Sequence, residues 1–209
     1  MIAIEKDRRL TTELPGKRET ENVEVIEGDA LKIDWHRLIA PTFRVPRFSF
    51  PGFKVVGNIP YYITSPLIDK ALTPPLPERI VFLVQAEVAD RIAANPGGKT
   101  YGALSVGVQA LCRVEKLFTV APGAFRPPPK VRSAVVRLIP LATPLIRNEE
   151  AAPFRAYVTA CFSKRRKQLK NAIPGINDAD LEALGLDPTT RPERLAPETF
   201  VQLLRRRRQ

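Results

Sequence analysis

The sequence predicts an α/β protein with a largely parallel sheet, followed by a smaller all-helical region. Two observations carry that prediction. Short apolar runs end repeatedly in polar residues: MIAI meets Glu5, NVEVIE ends at Gly28-Asp29, FKVV runs into Gly57-Asn58, and RIVFLV stops at Gln85. Buried parallel strands read this way, and sheets built from them bind ligands at their carboxyl ends. Helical candidates lie between these runs, and strand-like runs cease after about residue 147.

Each element follows from local pattern. DRRLTTEL after Glu5 can form a short helix, and helices are expected at 61–72 and 86–94. YGALSVGVQALCRVEKLFTV reads as a helix running into a strand, and VRSAVVRLIP, after the turn RPPPK, as a further strand closing the sheet with a β-hairpin. LATPLIRNEEAAP (141–153) mixes prolines with charges and reads as a linker. FRAYVTACFSKRRKQLKNAI, DADLEALG and PETFVQLLRRRR are then helical. The division expected is 1–146 and 147–209. In TFRVPRFSFPGF (42–53) the phenylalanines are expected to pack on the sheet rather than to stack on bases.

Lysine and arginine number 33 against 22 acids, a net charge of +11, which points to a polyanionic partner. The charge clusters at SKRRKQLK (163–170) and RRRR (205–208). The first follows the apolar pattern Phe154, Tyr157, Val158, Cys161, Phe162, so it is expected to continue one helix whose other face meets phosphate. The terminal run reads as a frayed, nonspecifically sticky tail. Two cysteines, Cys112 and Cys161, have no CxxC partner, and the single histidine, His36, lies in a polar stretch; neither a disulfide framework nor a metal site is expected. No apolar run reaches about 18 residues, so no membrane span is expected, and a reducing cytoplasm fits the cysteines.

The stretch GNIPYYITSP (57–66) puts a proline directly after a strand. Pro60 lacks a backbone donor and ends regular pairing, leaving nearby carbonyls unclaimed.

In order along the chain stand IEKD (4–7), EGDAL (27–31), GNIPYYITSPL (57–67), QAEVADRI (85–92), AFRPPPKVRSAVVRL (124–138) and FSKRRKQLKN (162–171). Together they resemble the rRNA adenine N6,N6-dimethyltransferases of the KsgA type. The resemblance implies a Rossmann-like class I S-adenosylmethionine-dependent methyltransferase domain and a small helical rRNA-binding domain. It implies a cofactor site at Glu5, Lys6, Gly28, Asp29, Ala30 and Asn58, with Glu5 on the ribose hydroxyls and Asp29 on the adenine amine. Asn58 and Pro60 would accept the two N–H bonds of the target amine, aiming its lone pair without a strong base. Tyr61 and Phe125 would sandwich the extruded base. Arg126, Lys130, Arg132, Lys164, Arg165, Arg166, Lys167 and Lys170 would contact RNA.

The implied partner is small-subunit rRNA within a 30S assembly intermediate, bound by a cytoplasmic monomer. The family's first strand and glycine-rich cofactor turn would precede IAIEKD, and no GxGxG occurs in the chain, which therefore reads as an N-terminally truncated copy. Two other readings share these residues: a noncatalytic RNA-binding or ribosome-assembly factor, and a resistance-type methylase acting on a large-subunit adenosine.

Overall fold

The computed structural model describes residues 1–13, 22–42, 52–164, 167–173 and 175–207. Six strands and nine α-helices occur among them, and the chain divides into two units: Met1–Gly52 with Pro66–Lys70, and Phe53–Ser65 with Ala71–Gln209. The expected phenylalanine packing of 42–53 lies almost wholly outside the described residues.

In the first unit β1 (Ile2–Glu5) pairs parallel with β2 (Glu24–Glu27), Glu5 opposite Glu27. The ladder ends where Gly28 donates its N–H to the Glu5 carbonyl at 2.8 Å. Glu5 Oε1 accepts from the backbone of Lys6 and Asp7 at 2.7 and 2.8 Å, turning the chain off the strand. Asp7 Oδ1 then accepts from the N–H of Arg9 and caps α1 (Arg8–Glu13). All four residues of β1 are only half-buried. Helix α2 (Trp35–Thr42) starts where Asp34 Oδ1 accepts the N–H of His36 at 3.0 Å.

In the second unit a four-stranded sheet has the order β3-β4-β6-β5, built from β3 (Lys54–Asn58), β4 (Arg79–Gln85), β5 (Cys112–Val120) and β6 (Ser133–Pro140). β3 and β4 are parallel, and β6 runs antiparallel to both β4 and β5, so the expected hairpin closes the sheet. β4 shows why it is central: Ile80, Phe82 and Val84 alternate as fully buried residues at 0–1% exposure. Helix α3 (Thr64–Ala71) follows β3, α4 (Ala86–Ile92) follows β4 directly, and α5 (Ala103–Gln109) precedes β5.

Every described element beyond residue 147 is helical: α6 (Ala151–Ser163), α7 (Leu169–Ala172), α8 (Asp178–Ala183) and α9 (Pro197–Arg207), with short 3-10 turns between. α6 buries Phe154, Tyr157, Val158 and Cys161, one helix face at i, i+3, i+4, i+7. Phe162 packs edge-on to Tyr101 and at 5.6 Å from Phe200 of α9. Burial pushes the thiols of Cys112 and Cys161 up to about 12, so both are inert packing residues.

Three sequence expectations are corrected here. Segment 141–153 is not a loose linker: Leu141 and Leu145 donate to the carbonyls of Leu111 and Ala110, Ile146 is buried, and α6 already begins at Ala151. The run 154–173 is not one helix. α6 stops at Ser163, Lys164 leaves helical geometry, and α7 restarts at Leu169, because Leu169 and Ala172 must turn inward to be buried. The arginines of α9 are not a frayed tail. Arg205 makes two hydrogen bonds to Glu150, which is 1% exposed, and Arg206 pairs with Asp180 at 2.6 Å. Arg208 lies outside the described residues.

Candidate active site and RNA-facing surface

In the first unit the implied cofactor residues gather where β1 and β2 end. Lys6 Nζ reaches Asp29 Oδ2 at 3.1 Å, and Asp29 Oδ1 accepts the N–H of Leu31 at 2.9 Å. These bonds, the Leu31 amide first and the Lys6 ammonium second, hold Asp29 below the usual carboxylate range, so it is ionised and a ready acceptor.

Three successive carbonyls of the same loop are tied down. Asp29 O accepts from Lys32 and Ile33, Ala30 O accepts the Trp35 indole N–H at 2.9 Å, and Leu31 O accepts from Lys70 Nζ at 2.8 Å. The Lys70 ammonium also lies 5.7 Å from the centroid of the Trp35 ring. With its neighbours' carbonyls engaged, the Ala30 N–H has no partner among the described residues.

This donor set suits a nucleoside. Glu5 Oε2 has no partner among the described residues and is open to hydroxyl donors, while the Asp29 carboxylate and the Ala30 N–H offer an acceptor beside a donor, complementary to an adenine edge. The Lys6–Asp29 pair is exposed and weak, and an amine can take its place. Trp35 and Lys70 were not singled out from sequence; their contacts arise only once residues 30–35 curl back and the helix bearing Lys70 folds.

In the second unit β3 ends at Asn58, and Ile59 is pulled inward, its N–H bonded to the Leu83 carbonyl and its side chain 5% exposed. Gly57 permits this: a Cβ there would stand 2.6 Å from Ile59 Cδ1. The Asn58 side chain stays exposed, and its amide has no partner among the described residues. The Pro60 carbonyl accepts the Ile63 N–H at 3.0 Å, opening a 3-10 turn over Tyr61–Ile63, and keeps one lone pair. Of the acceptors expected after the strand, the Pro60 carbonyl is thus shared with the turn, and the Asn58 side-chain oxygen two residues earlier has no partner among the described residues.

Tyr61 is half-buried, and its hydroxyl shares a 2.8 Å hydrogen bond with Ser133 Oγ, itself fully buried at the start of β6. That bond links the Asn-Ile-Pro-Tyr turn to the hairpin carrying AFRPPPKVRS. Ser133 was read only as part of a strand, since a bond across 72 positions leaves no local signal. Phe125 is half-buried beside the 3-10 turn Pro122–Ala124 and does not fill the core. Tyr62, next in the same turn, is 81% exposed.

Arg126, Lys130, Arg132, Lys164, Lys167 and Lys170 are all exposed, and none has a carboxylate within 4 Å among the described residues. Arg165 and Arg166 lie outside the described residues. The lysines are spread over the end of α6, a bend and α7 rather than along a single helix face. A groove of about 770 Å³ along Ala152, Ala156 and Ala160 of α6, facing Leu72 and Pro74, contains none of the sequence-predicted site residues. No helix among the described residues is long and apolar enough to cross a membrane.

Comparison with known proteins matches this arrangement to one family. Residues 1–207 fit the family described as ribosomal RNA adenine dimethylase. The chain is 45% identical over 179 residues to ribosomal RNA small subunit methyltransferase A of Pseudomonas aeruginosa, covering 85% of this chain and 64% of that protein. Against the protein of that name from Nitrosococcus oceani it is 44% identical over 206 residues, covering 97% and 75%. The chain thus spans roughly two thirds to three quarters of these relatives' length.

Among solved structures, a dimethyladenosine transferase from Plasmodium falciparum superposes with TM-score 0.76 at 30% identity, covering 97% of this chain and 79% of that one. The 23S rRNA methyltransferase ErmE superposes with TM-score 0.66 at 27% identity, covering 100% and 82%. The fold is therefore the Rossmann-like α/β fold of the rRNA dimethyltransferases with helices appended. By the extent of the sequence match and by fold, the chain belongs to the ribosomal RNA adenine dimethylase family.

Proposed function

We propose that this chain transfers methyl groups from S-adenosylmethionine to the N6 amines of two adjacent adenosines in the 3′-terminal hairpin of small-subunit rRNA, acting as a cytoplasmic monomer on a 30S assembly intermediate. Residues 1–146 form the methyltransferase domain and 147–209 a helical rRNA-binding domain; that every element among the described residues after 147 is helical supports that division. The observation carrying the activity is the open Asn58 amide at a strand end, with the Pro60 carbonyl two residues on and the Tyr61 ring tied to Ser133.

S-adenosylmethionine, when bound, supplies an electrophilic methyl group. Glu5, Asp29 and the Ala30 N–H hold its nucleoside part. An exocyclic adenine amine is a poor nucleophile because its lone pair is delocalised into the ring. The Asn58 side-chain oxygen and the remaining lone pair of Pro60 O accept its two N–H bonds, favouring the pyramidal form and aiming the lone pair. Tyr61 and Phe125 stack on the extruded base, whose removal from the duplex costs a few kcal/mol. No general base is needed, since the amine becomes cationic and acidic after attack and loses its proton then. The exposed Arg126, Lys130, Arg132, Lys164, Lys167 and Lys170 contact phosphate.

The test is radioactive methyl transfer to undermethylated 30S particles beside naked large-subunit rRNA. Label in the 30S rRNA is the expected outcome; label confined to the large-subunit RNA would replace this reading with the resistance-type one. Salt-sensitive RNA binding without any cofactor affinity by calorimetry would favour a noncatalytic factor.

A further inference from the structure

Tyr61 and Tyr62 are neighbours in one 3-10 turn and meet different surroundings. Tyr62 is 81% exposed, and its hydroxyl has no partner among the described residues. Tyr61 is half-buried, with its hydroxyl 2.8 Å from Ser133 Oγ. The backbone at Tyr61 is fixed separately: its carbonyl accepts the Thr64 N–H and, at 3.1 Å, the Thr64 hydroxyl, while Pro60 O accepts from Ile63. Those bonds place the Cα of Tyr61 but do not set the direction of its ring. The hydroxyl bond does. It pins the far end of the ring and so selects the first side-chain torsion, and it biases the second because a phenolic oxygen bonds near the ring plane.

The anchor is itself held on both sides. Ser133 is 0% exposed and opens β6, where it pairs with Gln85 of β4 and with Val120 of β5. One residue earlier, the Arg132 carbonyl accepts the Ala86 N–H at 2.9 Å, tying the same point to the start of α4. Because Val120 pairs with Ser133, residues 121–132 form the loop that carries Phe125, and Ser133 closes its root. One residue therefore holds the Phe125 loop through its backbone and the Tyr61 ring through its side chain. A hydroxyl buried to this degree needs a partner, and Tyr61 is the one side chain bonded to it among the described residues.

We propose that Ser133 is a positioning residue for base capture: its hydroxyl holds the Tyr61 ring in the orientation in which an extruded adenine stacks on it. The inference rests on the base-stacking reading above and names a residue that acts through Tyr61 without touching the base. A ring already held in its bound rotamer loses less conformational freedom when the base arrives. The bond thus favours capture of the RNA and leaves the cofactor residues of the first unit untouched.

The experiment is a double-mutant cycle of Ser133→Ala and Tyr61→Phe in the full chain, read by methyl transfer to undermethylated 30S particles. Each single variant is expected to lower kcat/KM for the particles by about three- to tenfold, with KM for S-adenosylmethionine within about twofold of the parent. The double variant should lose no more than either single one, since both remove the same bond. Tyr61→Phe should unfold at lower temperature than Ser133→Ala, because it leaves a buried hydroxyl without a partner. Equal transfer losses at unequal stability separate positioning from folding. Tyr61→Ala, which removes the ring, should lose about tenfold more than Tyr61→Phe. If Ser133→Ala transfers at the parent's rate while Tyr61→Ala is impaired, the positioning role is wrong and the base-stacking reading stands. Losses that multiply in the double variant, or a KM for S-adenosylmethionine that rises with that for the particles, would also overturn it. If Tyr61→Ala is no worse than Tyr61→Phe, stacking on Tyr61 falls and this inference with it.

Discussion

The residues proposed to hold the nucleoside and those proposed to orient the amine are built on opposite principles. Around Asp29, position comes from hydrogen bonds: three carbonyls tied in sequence, one to an indole and one to an ammonium, on strands that stay half-buried. Around Asn58, position comes from packing, with β4 fully buried on one face and Ile59 drawn down beside it. The contrast teaches that a site can be held either by paired polar groups, each worth about 1 kcal/mol, or by apolar burial worth several times more. The two should respond differently to substitution.

The sharpest way to break the comparison is a matched pair of core truncations. Phe82→Ala, in the fully buried strand, should cost about 3–5 kcal/mol in urea unfolding, whereas Ile4→Ala in β1 should cost only about 1–2 kcal/mol. Equal losses would refute the distinction. Asn58→Ala should leave the midpoint of unfolding nearly unchanged, since its amide bonds nothing among the described residues, yet slow methyl transfer about 100-fold or more with cofactor affinity within about twofold. Full activity in that variant would remove the amine-orienting role.

Glu150 tests the helical part of the packed unit. Its carboxyl is held at about 2, first by the Arg205 guanidinium and then by the Arg147 backbone and side chain. A depressed acid stabilises the fold fully above its ordinary value of 4.5, and that stability is lost as pH falls from there toward 2. Glu150→Ala should cost about 2 kcal/mol at neutral pH, below the figure for a fully buried pair because Arg205 is half exposed, and should lower Tm by about 4–8 °C. The variant should also flatten acid unfolding between pH 4.5 and 2; an unchanged acid limb would show that Glu150 does not titrate with the fold. The smallest effect is expected from Trp35→Phe, which keeps the ring under Lys70 but removes one donor. It should weaken S-adenosylhomocysteine binding by about three- to tenfold in calorimetry and move stability by no more than about 1 kcal/mol.

Legibility in the sequence followed the range of the interactions. The strand ends at Glu5, Asn58 and Gln85 were visible because a short apolar run meeting a polar residue is a local pattern. The apolar face of α6 was visible for the same reason. The basic stretch 163–170 looked like a continuation of that helix because lysine, arginine and glutamine are good helix formers, but propensity lost to the burial of Leu169 and Ala172. The arginines of α9 looked like a tail because their partners, Glu150 and Asp180, lie 55 and 26 positions away. Ser133 and Lys70 were missed on the same account: one is an ordinary strand residue and the other an ordinary helix residue until the chain folds.

By itself the sequence determined the element order, the apolar faces and the motif residues at strand ends, because these depend on neighbours a few positions apart. Only the tertiary structure decided which cations are neutralised and which remain open, which carbonyls are claimed, and that Leu117 and Phe118 stand exposed. Charge pairing and hydrogen-bond closure require groups distant in sequence to meet within about 3 Å, and no local pattern encodes that meeting.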